Sequence, residues 1–129
     1  MQDRPNASEL AQAVLEFLQN EIAPQIQDAR LKFRMLVASN GLGILARELA
    51  QGEALLQKEW LRLSALLQTS QAKPSGLAEL RAEVLKLNRT LTARIRADRA
   101  PPDTYEAVKD LARDKLRIAS PRYLERYRP

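Results

Sequence analysis

Polar side chains set inside apolar helical stripes are where this sequence could do chemistry, because a polar group taken out of water must be paired or used. Three residues qualify. Asn40 sits among Phe33, Val37 and Ile44, and Asn88 falls in the arc of Val84, Leu91 and Ile95. Lys115 lies at the centre of the arc formed by Val108, Leu111, Ala112, Ile118 and Ala119. Each asparagine suits a hydrogen bond that fixes which helices pair. Lys115 suits a stem lying on apolar surface with its ammonium in water. Its alternative role is to bind an anionic ligand or a partner's carboxylate.

Other constellations are weaker. Asp103, Glu106, Asp110 and Asp114 fall mostly three or four apart, the spacing of a helical carboxylate set for a divalent cation. Lys109, Arg113 and Arg117 are interleaved with them, which reads as ion pairing on a solvated face, and no metal site is expected. Glu79 and Glu83 stand beside Arg81 and Lys86 and read the same way. The chain has no His and no Cys, so imidazole bases, thiol nucleophiles, disulfides and thiolate metal sites are excluded. Asn40, Gly41, Leu42 and Gly43 fit no phosphate-binding loop, and no cofactor is expected. No catalytic constellation remains, so the expected class is not an enzyme.

The end of the chain carries Arg122, Tyr123, Arg126, Tyr127 and Arg128. Arginines with aromatic residues can bind nucleic acid. The whole chain, however, has 21 basic against 16 acidic residues, a net of +5, which is a weak footprint for that role. A tail that docks on a protein is the preferred reading, since Tyr and Arg are enriched at interface hot spots.

The elements that must position these residues are helices. Among 129 residues there are 22 Leu and 19 Ala but only nine Val and Ile together, so the strand supply is thin. A first helix opens at Asn6, with Glu9 completing a capping box, and ends or kinks at Pro24. A second runs from about Asp28 to Leu49 or Gln51, with Gly52 as its C-cap. A third spans about Glu53–Gln68. A loop follows over 69–76, then a fourth helix from Leu77 to about Ala97. After Pro101 and Pro102, Asp103 and Glu106 form the capping box of a fifth helix ending near Ala119. Residues 120–129 are expected to be an extended, basic and aromatic tail.

These elements predict an all-α protein, a four- to five-helix up-and-down bundle forming a single domain over 1–129. The second helix has two apolar stripes. Leu31, Met35, Ala38, Leu42, Leu45 and Leu49 share one, and Phe33, Val37 and Ile44 lie nearly opposite. A helix apolar on two sides is central in a bundle or carries an interface, so a homodimer through the second face is expected where the bundle does not cover it internally. Gly41 and Gly43 suggest close packing of another helix there. No apolar run approaches the ~18 residues of a membrane span, and a cytoplasmic protein without membrane contact is expected.

Several segments resemble a known family. They are the opening Met1–Pro5, the run from Arg30 to Phe33 through Asn40 to Leu49, Leu87–Arg89 with Ile95 and Arg96, and Lys115–Leu124. Together they resemble a small bacterial domain family of unknown function. Its members are encoded beside aminoglycoside-phosphotransferase-like kinases and acyl-CoA dehydrogenases. The chain departs from the pattern at Arg34, Leu36 and Ser120, where members often carry His, Arg and Asn. The resemblance implies an accessory, protein-binding role beside such a kinase or dehydrogenase. It marks Asn40, Asn88, Lys115, Arg122 and Tyr123 as candidate interface or ligand residues. The alternative function is a bundle binding acyl-CoA or acyl-phosphate through Lys115 and the tail arginines, and weak nucleic-acid binding comes third.

Overall fold

The computed structural model describes residues 4–70 and 72–126, and over these every regular element is helical. Helix α1 spans Ala7–Phe17, α2 Ala29–Leu67, α3 Leu77–Arg96, α4 Thr104–Ala119 and α5 Pro121–Arg126. The chain divides into two compact units, 1–52 and 53–129, with α2 contributing residues to each.

The first unit follows from its caps and breakers. Asn6 accepts a hydrogen bond from the Glu9 N–H at 2.9 Å, and Glu9 accepts from the Asn6 N–H at 2.8 Å, so the capping box forms as the sequence predicts. Approaching Pro24, which has no N–H to donate, the helix widens into a π turn over Leu18–Ile22 and tightens into a 3-10 turn over Ala23–Gln25. Asp28 then caps α2, accepting from the Leu31 N–H at 2.7 Å. Ala11 and Leu15 of α1 are buried, as are Ser39 and Ala46 of α2. Leu15 packs over Gly43, at whose Cβ position its nearest atom would stand 3.4 Å away, and the Ser8 hydroxyl donates to the Ala46 carbonyl at 3.0 Å. Gly43 thus takes the close helix approach the sequence suggests, while Gly41 has nothing within 4 Å.

The second unit holds the larger core. Trp60, Leu63 and Leu67 of α2 meet Leu80, Val84, Leu87 and Leu91 of α3 and Leu111 of α4. The α3 residues repeat at steps of four, three and four, the seam read from the sequence, and its outer members Leu77 and Ile95 remain exposed. Glu79 accepts from the Ser75 hydroxyl at 2.7 Å and from its N–H at 3.1 Å, closing the first turn of α3. These bonds hold the Glu79 carboxyl below its ordinary pKa.

Three expectations are corrected. The second and third helices are one helix of 39 residues, and Gly52 lies inside it rather than capping it. Asp103 adopts a left-handed conformation with φ 66° and makes no side-chain cap, so its capping box with Glu106 does not form. Instead the Thr104 hydroxyl donates to the Pro101 carbonyl at 2.6 Å. Residues 121–126, expected to be extended, form α5, with Pro121 at its first position where a missing N–H costs nothing. Tyr127, Arg128 and the opening Met1–Asp3 lie outside the described residues.

Candidate functional site

Two buried carboxylates organise the polar interior of the second unit, and both stand on apolar stripes. Glu59 follows Leu56 by three residues and precedes Leu63 by four. Asp114 has the same relation to Leu111 and Ile118. Helical spacing therefore carries each toward the core side of its helix. Glu59 is 9% exposed and Asp114 7%.

Glu59 gathers two of the residues singled out in the sequence. The Asn88 amide on α3 donates to Glu59 Oε1 at 2.8 Å and to the Val84 carbonyl at 3.1 Å. The Lys115 ammonium on α4 reaches the same oxygen at 3.2 Å. One carboxylate thus ties α2, α3 and α4 together. Asn88 makes the helix-pairing hydrogen bond its position predicts. Lys115 does not occupy the middle of a buried arc: its side chain is largely exposed, and the buried side of α4 is set by Leu111 and Asp114. The lysine reaches inward from the margin to neutralise Glu59.

Asp114 is held by more charge. The Lys58 ammonium lies 3.1 Å from one of its oxygens, the Arg62 guanidinium 3.2 Å away and the Arg117 guanidinium 2.9 Å away. Burial alone would raise the Asp114 pKa, but the hydrogen bonds from Lys58 and Arg62 and the charges of Lys58 and Arg117 outweigh it and hold it below its ordinary value. Asp114 is therefore no member of a solvated face, contrary to the sequence reading, and its neighbours differ in this respect. Asp110 pairs with Arg113 at 3.3 Å and with Arg62 at 3.5 Å, and Glu106 pairs with Lys109 at 3.8 Å, as surface ions do.

The arrangement can hold helices in register around two buried carboxylates, each paired with a cation. Asp114, with its pKa held low, is a poor proton acceptor at neutral pH. Among the described residues, no group of three His, Cys, Asp or Glu is placed to hold a metal ion.

The remaining sequence candidates stand apart from this layer. Asn40 is exposed on α2 of the first unit, beside Phe33 and Val37, which are exposed as well. Arg122 and Tyr123 lie exposed on α5. Sequence reasoning missed Glu59, although its place between Leu56 and Leu63 is the same signal that marked Asn88.

Among the described residues no helix is long and apolar enough to cross a membrane. No curated protein and no solved structure matches the chain. A family pattern does match, over residues 24–123, a span that holds Asn40, Glu59, Asn88, Asp114, Lys115, Arg122 and Tyr123. The chain belongs to the family described as Domain of unknown function (DUF6285).

Proposed function

We propose that this chain is a non-catalytic helical domain that binds a protein partner through the Phe33 face of α2. It would serve as an accessory subunit to a larger enzyme. One observation carries this reading: Phe33, Leu36 and Val37 are 67%, 50% and 55% exposed on consecutive turns of one helix. Apolar side chains grouped in this way mark an interaction site. Asn40 lies within the group and supplies a polar anchor. Arg122 and Tyr123 on α5 offer the residue types of a second contact.

The partner we favour is the aminoglycoside-phosphotransferase-like kinase or the acyl-CoA dehydrogenase that accompanies the bacterial family this chain resembles, in the cytoplasm. The acyl-CoA-binding alternative loses support, because the Lys115 ammonium it needs is paired with Glu59. A homodimer through the Phe33 face is the competing reading of the same surface.

The test titrates the full chain, by calorimetry, against the purified kinase and dehydrogenase of one genome. Binding to either is expected, weakened about thirtyfold or more by Phe33→Ser with Val37→Ser, as for loss of a hot spot. No binding to either enzyme, or binding that the double substitution leaves unchanged, overturns the proposal.

A further inference from the structure

The other stripe of α2 has a symmetry of its own. Leu31, Met35, Ala38, Leu42, Leu45 and Leu49 step by four, three, four, three and four, a heptad seam. Leu31, Leu45 and Leu49 are about half exposed, so the first unit leaves the seam largely open. Helix α1 widens the same face. Its Glu9, Gln12 and Glu16 border a groove shared with Arg47 and Gln51 on one side of the helix pair. Leu10, Val14 and Phe17 do not line that groove; helical spacing sets them on another side of α1, and all three are exposed. What the pair does bury is small: of its four buried apolar residues, Ala11, Leu15, Ala23 and Ala46, three are alanine.

The seam reads the same in both directions about Asn40. Laid antiparallel on a copy of itself, Leu31 meets Leu49, Met35 meets Leu45 and Ala38 meets Leu42, so every layer is apolar. The positions flanking such a seam on its free side are Arg34, Gly41 and Glu48. Flanking positions pair diagonally across such a seam, two residues off the level of the core layers, so Arg34 faces Glu48, Gly41 faces Gly41 and Glu48 faces Arg34. Opposite charges therefore meet twice, and at the dyad a glycine with open space around it lets the backbones close up. Neither Arg34 nor Glu48 has an ion-pair partner within its own chain among the described residues.

We infer that the occupant is a second copy of this chain, docked about a two-fold axis near Asn40 so that two helix pairs close into a four-helix assembly. The face is the one opposite Phe33 and Val37, so this inference stands apart from partner binding. Sedimentation equilibrium of the full chain from micromolar to millimolar concentration reads it directly. The mass of a dimer is expected. Arg34→Glu alone and Glu48→Arg alone, both at exposed positions, should each raise the dissociation constant about tenfold or more. The double reversal should return it to within about threefold of the original. The Phe33→Ser, Val37→Ser chain should dimerise unchanged. A monomer throughout, a double reversal that fails to rescue, or a dimer lost on changing Phe33 and Val37 would each overturn the inference.

Discussion

At Asp114 a buried carboxylate is outnumbered by cations, and the consequence is a defined acid dependence. Three positive groups lie within 3.2 Å of its oxygens, so the folded state favours the ionised form more than the unfolded chain does. The unfolded chain therefore binds the proton first as pH falls. The stabilisation is complete above the ordinary aspartate value near 4 and disappears as pH falls through the lowered folded value. Asp114→Asn should lower the melting temperature at pH 7 by about 7 °C, equivalent to about 2 kcal/mol. It should also flatten the loss of stability below about pH 5. Thermal melts of both chains between pH 3 and pH 7 check this. An unchanged acid limb would mean that the pairs seen around Asp114 contribute nothing. Glu59 differs in kind, since one of its two partners is a neutral amide and the other an ammonium carried in from solvent.

Among the elements, α2 departs furthest from its sequence signals. Gly52 is a strong stop signal, and glycine inside a helix costs about 1 kcal/mol relative to alanine. The helix nevertheless continues for fifteen further residues, because residues 53–67 carry Trp60, Leu63 and Leu67 into the core of the second unit and tertiary burial outweighs local propensity. The nearest atoms a Cβ at position 52 would meet belong to the Glu48 carboxylate, at 2.7 Å, the free end of a flexible side chain that can swing aside. Gly52→Ala should then raise the melting temperature by about 3 °C, corresponding to about 1 kcal/mol. A chain whose helix ended at Gly52 would instead lose stability on this change, so one melt separates the two geometries. The same competition decides what was legible elsewhere. The helical class, the Asn6 box, the start of α2 near Asp28 and the α3 seam each rest on signals read within one or two turns, and all could be read directly. Asp103 failed as a cap because the turn after Pro101 and Pro102 sets it at positive φ, where its side chain cannot reach the first N–H groups. Asn88 was legible as a paired polar residue because its neighbours are apolar. Glu59 and Asp114 carry the same stripe signal, between Leu56 and Leu63 and between Leu111 and Ile118, but cations beside each made them read as surface ion pairs, and the packing of three helices shows that they are buried.

Over the whole molecule, the distribution of burial sets how its stability depends on concentration. The second unit carries a core of eight buried apolar residues drawn from three helices. The first buries little beyond alanine while keeping Leu10, Val14, Phe17, Leu31, Leu45 and Leu49 at its surface. Burial of small side chains offsets little of the entropy lost in ordering 7–52, so these residues depend on whatever covers their open face. If that cover is a second copy, mass action links folding of this segment to protomer concentration, by about 1.4 kcal/mol for each tenfold change per dimer. Hydrogen exchange measured on the full chain at 5 μM and at 500 μM should then separate the two regions. Amides of α1 and of α2 up to residue 52 should gain protection at the higher concentration, by about tenfold, whereas those of α3 around Leu80–Leu91 should exchange at one rate in both. Equal protection of 7–52 at the two concentrations would assign the cover to a contact within the chain and remove the second copy. A gain shared equally by α3 would instead place the interface on the second unit.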